Sequence, residues 1–329
     1  MGSSRKEFII QSLATAAGLS TGVDMSSWSA YDNESTIAAG TENLPPANLK
    51  VAVFSKHLQW LDYKPMAETA AKLGFDGVDL TVRPGGHVLP ERATEDLPQA
   101  VKAVREAGLE VLMMSTAIGG ADEEYTEPIL QTASELGISH YRTDWYEYDD
   151  ELSIAENLDH FRKRLAQLAE LNEKYQIEGD YQNHSGSGFG ASIWDLWMVL
   201  EDLDSDWLGS QYDVRHATVE GSESWPVGLK LIHSHIGTMD IKDFHWSKQD
   251  GSWQVQNVPL GQGQVNFSKF FSLIKELGIS VPLSVHYEYP LGGANHGGRE
   301  LTIPKDDVLN ALKRDLEILR GWLGDHDLG

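Results

Sequence analysis

Leu73-Gly74-Phe75-Asp76-Gly77-Val78-Asp79-Leu80-Thr81-Val82-Arg83 holds the unit from which the whole chain is built. A helix closes at Gly74, a residue that accepts the left-handed conformation by which helices stop. A strand of apolar and β-branched residues follows at once. It empties into Arg83-Pro84-Gly85-Gly86-His87, a loop whose glycines let backbone approach a ligand closely. Outward from this stretch the same order of strand, polar tip and helix recurs in both directions. The runs VAVF, GVDLTV, VLMM, HY, DY, GSQY, TMDI and PLSV each end in polar residues. Those ends are Ser55-Lys56-His57, Arg83, Ser115-Thr116, Arg142-Thr143-Asp144, Gln182-Asn183-His184, Asp213 to His216, Lys242-Asp243 and His286-Tyr287-Glu288. Eight such units predict an α/β fold, a (β/α)8 TIM barrel whose chemistry gathers where the strand C-termini converge.

The spacing predicts strands at residues 49–54, 77–82, 110–115, a short fourth at His140-Tyr141, then 177–181, 208–212, 236–241 and 281–287. Helices are expected at residues 64–73, 94–107, 126–136, 154–175, 191–200, 267–277 and 306–323, where apolar residues recur at helical spacing. Residues 246–258 are patterned as a β-hairpin around Asp250-Gly251, a favoured tight-turn pair, inserted on the active face. A single α/β barrel fills about 250 residues, so residues 48–329 read as one domain.

Residues 1–25, with Arg5-Lys6 ahead of Phe8-Ile9-Ile10 and a small-residue apolar run, read as a twin-arginine-type signal segment. The expected location is periplasmic or secreted, and cytoplasmic if the signal is not genuine. Residues 26–47, with Pro45-Pro46, read as a linker. The apolar run is too short and polar to span a membrane. With 50 Asp and Glu against 26 Lys and Arg, the net charge of −24 repels phosphate backbones and anionic lipid, which argues against a nucleic-acid partner. The chain has no cysteine, which removes thiolate nucleophiles, disulfides and Cys-ligated zinc. Homo-oligomerisation is left open.

Several segments carry a family likeness: Leu73 to Leu80, Gln182-Asn183-His184, Asp213-Val214-Arg215-His216, Asp240-Ile241-Lys242-Asp243, Pro259 to Phe267 and Pro282 to Glu288. Through them the chain from about residue 49 to 323 resembles the xylose isomerase-like barrels of sugar phosphate isomerases and epimerases. The resemblance implies a divalent metal (Mn, Mg, Co or Zn) at the mouth, held by Glu, Asp, His and Glu on strands 5 to 8, with the two glutamates moving the substrate proton. Asp213 and His216 match the strand 6 Asp and the substrate-binding His that follows it. Gln182, Asp240 and His286 stand at the other three positions. The set Gln182, Asp213, Asp240, His286 still offers donors to a divalent cation. It cannot run a two-glutamate proton shuttle, because an amide does not titrate.

Proton transfer is therefore expected from His184, His286, Glu288 or Lys242, with Lys242 polarising the carbonyl where no metal does. Arg83, His87, Arg142, His216 and Trp246 are expected to bind substrate, the tryptophan by stacking on a sugar ring. His233 and His235 belong to structure. Gly261-Gln262-Gly263 lacks the lysine and the strand-to-helix setting of a phosphate loop. The expected function is a carbohydrate isomerase or epimerase that abstracts a proton next to a sugar carbonyl. A keto-sugar lyase or hydratase and a non-catalytic sugar-binding barrel are the alternatives. Few basic residues stand near the tips, which favours a neutral sugar.

Overall fold

The computed structural model describes residues 48–203 and 205–329; the expected signal segment and linker lie outside the described residues. Eight parallel strands close a barrel: β1 (Val51–Phe54), β2 (Gly77–Val82), β3 (Glu110–Thr116), β4 (His140–Arg142), β5 (Glu178–Gln182), β6 (Leu208–Asp213), β7 (Ile236–Ile241) and β10 (Leu283–Val285). The ring closes where β1 pairs with both β2 and β10, in the registers Val53↔Val78 and Val53↔Val285. Between β7 and β10 the chain makes an antiparallel hairpin, β8 (Asp243–Gln249) and β9 (Ser252–Val258). It turns at Asp250 and Gly251, both at positive φ, the geometry tight hairpins need. The hairpin begins at Asp243, three residues before the expected start, because β7 runs into it directly.

Around the barrel lie α1 (Tyr63–Leu73), α2 (Ala93–Glu106), α3 (Thr126–Glu135), α4 (Ile154–Tyr175), α5 (Ile193–Leu203), α6 (Val214–Gly221), α7 (Trp225–Ile232), α8 (Phe267–Glu276) and α9 (Lys305–Asp325). Gly74 caps α1 at φ 98°, as the opening stretch predicts. The sequence reading had no helix between β6 and β7; two short ones, α6 and α7, are there. Pro226 sits in the first turn of α7, where its missing N–H costs nothing. On α8, Phe267, Phe270, Phe271 and Ile274 are buried at helical spacing, and Phe267 stacks on Trp322 of α9 at 4.4 Å. Each such side chain contributes about 1.5–3 kcal/mol by leaving water. No helix among the described residues is long and apolar enough to cross a membrane.

Candidate active site at the barrel mouth

Alternation along the strands decides which residues meet inside. On β5, Asp180 and Gln182 face inward; on β7 and just beyond it, Thr238, Asp240 and Lys242 do the same. From the other side of the ring, Ser284, His286 and Glu288 enter. Gln182 Nε2 donates to Asp213 Oδ2 (2.9 Å) and to Asp240 Oδ2 (2.5 Å). Lys242 Nζ lies 3.0 Å from the same Asp213 oxygen and 3.3 Å from Glu288 Oε2, and Lys56 Nζ reaches Glu288 Oε1 at 3.1 Å. His286 Nε2 faces Asp240 Oδ1 at 3.1 Å without the alignment of a hydrogen bond. Asp213 also caps α6, its Oδ1 accepting from the His216 N–H at 3.0 Å, so the carboxylate is anchored from both sides.

The charges follow from these partners. Burial works against the Lys242 ammonium, but Asp213 and Glu288 outweigh it and raise its pKa above the ordinary lysine value. Burial opposes ionisation of Glu288 too, yet Lys242 and Lys56 hold its carboxyl well below the usual range. His286 is likewise raised, burial being overcome by Asp240 and Asp79, which favours the protonated ring. His184 and His216 go the other way. Burial, with the neighbouring Lys242 charge, lowers both, so both rings are neutral at neutral pH.

Their tautomers can be assigned from the hydrogen bonds. His184 Nδ1 faces the Ser185 carbonyl at 3.1 Å and must donate, which leaves Nε2 with the lone pair. His216 Nδ1 accepts from the Ser185 N–H (3.0 Å) and from Arg215 (2.8 Å), so its proton is on Nε2, 3.6 Å from Asp213 Oδ2. The two rings lie 4.0 Å apart, with Trp145 5.1 Å from His184. A cleft of about 300 Å³ lined by Trp145, Glu147, His184 and Phe189 opens beside them.

The quartet expected to hold a metal does not fit one as it stands. The Gln182 amide presents N–H donors to two carboxylates, and the Lys242 ammonium already supplies the positive charge at Asp213. Among the described residues, one trio of His, Asp and Glu side chains brings its ligand atoms within 4.8 Å of one another, and it lies at the opposite end of the barrel. There His140 Nδ1 is 3.3 Å from Asp180 Oδ2 and 3.6 Å from Glu178 Oε2. His140 Nδ1 and Asp180 Oδ1 are buried without hydrogen-bond partners, which makes this floor trio a candidate cation site. Thr238 Oγ1 donates to the other Asp180 oxygen at 3.0 Å. A Cβ on Gly237 would sit 2.3 Å from Asp180 Oδ1 and 2.6 Å from Glu178 Oε1, so only glycine leaves these carboxylates room.

Two expected substrate contacts are not at the mouth. Both His87 nitrogens are engaged, Nδ1 facing Thr81 Oγ1 (3.4 Å) and Nε2 the Leu61 carbonyl (3.2 Å), and burial lowers the pKa to about 4. His87 thus pins the glycine loop as a neutral ring. Trp246, on the hairpin, is exposed and lines a flank cleft with Trp225, Gln264 and Lys269, on the same strand face as Phe244, whose ring it meets edge-on at 6.1 Å. Asp243 does not pair with Lys242. It accepts from the N–H groups of Phe244, Gly261, Gly263 and Val265 and holds the turn after the hairpin.

The sequence reading missed four residues. Lys56 was quoted at a strand tip without a role. Asp79, accepting from Ser115 and Ser284, was visible as a lone acid in the apolar run GVDLTV. The pair Glu178 and Asp180 was visible as a period-2 pattern at the start of β5.

A barrel of eight parallel strands with acids, lysines and neutral histidines crowded at one mouth defines an α/β-barrel protein with an enzyme-like site. The family model described as xylose isomerase-like TIM barrel matches residues 67–313, and the chain belongs to that family. Among solved structures, D-psicose 3-epimerase with D-tagatose from Clostridium cellulolyticum H10 is similar at 12% identity and a TM-score of 0.64, covering 84% of this chain and 99% of that one. The probable 3-DHS dehydratase AsbF of Bacillus anthracis is similar at 13% identity and a TM-score of 0.63, covering 83% and 99%. The 3-keto-D-glucoside 4-epimerase YcjR from E. coli, in apo form, is similar at 14% identity and a TM-score of 0.59, covering 83% and 99%. At these identities the likeness is one of fold. No curated protein matches the sequence.

Proposed function

We propose that this protein is a carbohydrate isomerase or epimerase that removes a proton from the carbon next to a sugar carbonyl. The observation that carries the reading is the Lys242 ammonium held between Asp213 and Glu288, beside a neutral His184 whose Nε2 carries a lone pair. The ammonium polarises the carbonyl oxygen and stabilises the enediolate, in a site where water is scarce and one charge counts for more than in bulk. His184 Nε2 takes the proton. It is the better base than His286, whose protonated form Asp240 favours, and than Glu288, whose basicity two lysines reduce. His216 orients His184 by stacking on it, and His286 is a proton donor at depth. In this reading a divalent cation belongs with His140, Glu178 and Asp180 at the floor, where it braces the barrel, and no step at the mouth is routed through it.

A keto-sugar lyase is the second reading, favoured by Gln182: with an amide where a base would serve the opposite face, one base and one electrophile suffice for β-elimination. Incubation with keto-sugars in deuterated water tests both readings by mass. A mass shift with the sugar intact supports the isomerase, and an unsaturated product supports the lyase. Binding without exchange across neutral and acidic keto-sugars would leave a sugar-binding barrel instead.

A further inference from the structure

Arg142 ends β4 with its side chain inside the mouth and is only 3% exposed. Its Nε is buried with no hydrogen-bond partner, and its guanidinium lies over the Trp145 ring at 4.5 Å. Arg83, just past β2, is half-buried over the Phe54 ring at 5.4 Å. The ion pairs of the mouth run Lys56–Glu288, Lys242–Glu288 and Lys242–Asp213 and leave both arginines out. Each feels the other's charge: burial first, and then the Arg142 charge, push the Arg83 pKa down to about 10.

A guanidinium offers five N–H donors in a rigid fork that matches a carboxylate, and burying one without an acceptor is costly. In a chain with 50 Asp and Glu against 26 Lys and Arg, a carboxylate partner is easy to supply, yet neither arginine has one at ion-pair distance among the described residues. The aromatic faces hold the guanidinium planes in place without consuming their in-plane donors.

We propose that Arg83 and Arg142 form an anion subsite that takes the carboxylate of an acidic sugar, so that the substrate class is a sugar acid rather than a neutral sugar. The proposal rests on the functional reading above, since it supplies the end of the substrate remote from Lys242 and His184. The surroundings favour a monoanion. Asp79, Asp144 and Glu288 all act on these arginines, and such carboxylates oppose a phosphate dianion more than a single charge. Trp145, under Arg142, is a positioning residue for that guanidinium.

Calorimetric titration of the full chain with D-glucuronate, D-glucose and D-glucose 6-phosphate tests this, in the wild type and in Arg142→Gln, Arg142→Lys and Arg83→Gln. Glucuronate should bind at least about tenfold more tightly than glucose. Arg142→Gln should remove that advantage while leaving glucose unchanged, and Arg142→Lys should restore only part of it, because lysine lacks the fork. The melting temperature of ligand-free Arg142→Gln should not fall, since a buried guanidinium whose Nε has no hydrogen-bond partner has been removed; a steep fall would mean that Arg142 is structural, and the proposal would be lost. It is overturned equally if glucuronate does not bind, if the two sugars bind alike, or if Arg142→Gln weakens both. Tighter binding of the phosphate ester would overturn the choice of carboxylate. Arginine-dependent glucuronate binding without proton exchange on any keto-sugar would sink the enzymatic reading alone. Wild-type exchange on neutral keto-sugars as fast as on keto-sugar acids would sink this proposal alone.

Discussion

Gln182 and Asp180 stand two residues apart on β5 and face the same interior, yet they serve opposite ends of the barrel. At the mouth, Asp213 and Glu288 are met by Lys242 and Lys56, so each acid there has a cation within ion-pair distance. At the floor, Glu178 and Asp180 have one histidine between them. Burial, then the Asp180 charge, pushes the Glu178 pKa up to about 8, while Asp180 and Glu178 outweigh burial and raise that of His140. The mouth is thus balanced by cations that belong to the chain, and the floor is short of positive charge. A buried carboxylate is costly until it is paired, and which end supplies the pair separates a site prepared for substrate from one prepared for a proton or a metal.

The largest effect expected is at the mouth. Lys242→Met should lower stability by about 3–5 kcal/mol, because Asp213 is left buried without its cation. It should also slow proton exchange by about 10²–10³-fold through loss of the electrophile. Denaturant unfolding and deuterium incorporation measure the two separately. A stability loss under about 1 kcal/mol would mean that the amide of Gln182 is sufficient to hold the carboxylates.

Next comes the floor. Gly237→Ala drives a methyl into Asp180 and Glu178 and should cost about 1–3 kcal/mol. Gly321→Ala, in the exposed face of α9 with nothing within 4 Å, should stabilise the protein by about 0.5–1 kcal/mol. Equal effects of the two substitutions would remove the steric account of the floor.

Metal content separates the ends directly. In protein purified with divalent metal present, Asp180→Asn should lose at least about half of the bound ion, and Asp213→Ala should keep it, since among the described residues two carboxylates and an imidazole bring their ligand atoms together only at the floor. The reverse pattern would return the metal to the mouth.

A smaller effect concerns pH. His184 is lowered by burial and by Lys242, so the acid limb of the exchange rate should lie below the ordinary histidine range, the rate rising as the ring loses its proton. Removing the ammonium in Lys242→Met should move the His184 ring titration upward, as read by NMR. An unmoved titration would mean that burial alone sets it. The smallest effect expected is that of Trp246→Ala, within about twofold on exchange, because the ring faces the flank. A tenfold loss would put the hairpin back over the substrate.

The barrel was legible because strand, polar tip and helix repeat locally, and Gly74, Asp250-Gly251 and the α8 aromatics each state their role within a few residues. Of the candidate site, Gln182, Asp213, Asp240, Lys242, His286 and Glu288 were legible as strand tips, and they do converge. His87 and Trp246 were misread, because a polar or aromatic residue near a tip can turn to a neighbouring loop or flank, and residue type does not say which. Helices α6 and α7 were overlooked because eight-residue helices carry too few turns for a clear period.

What the sequence determined by itself is the order of elements and the inward face of each strand, since both depend on periods of a few residues. What only the tertiary structure decided is which charge meets which. Lys56 and Glu288 pair across 232 residues, and Lys242 is claimed by Asp213 and Glu288 rather than by adjacent Asp243. Arg83 and Arg142 feel nearby acids but form no ion pair with them among the described residues. Electrostatic partnership is a matter of distance and burial in three dimensions, and a closed ring brings first and last strands together in a way no local pattern records.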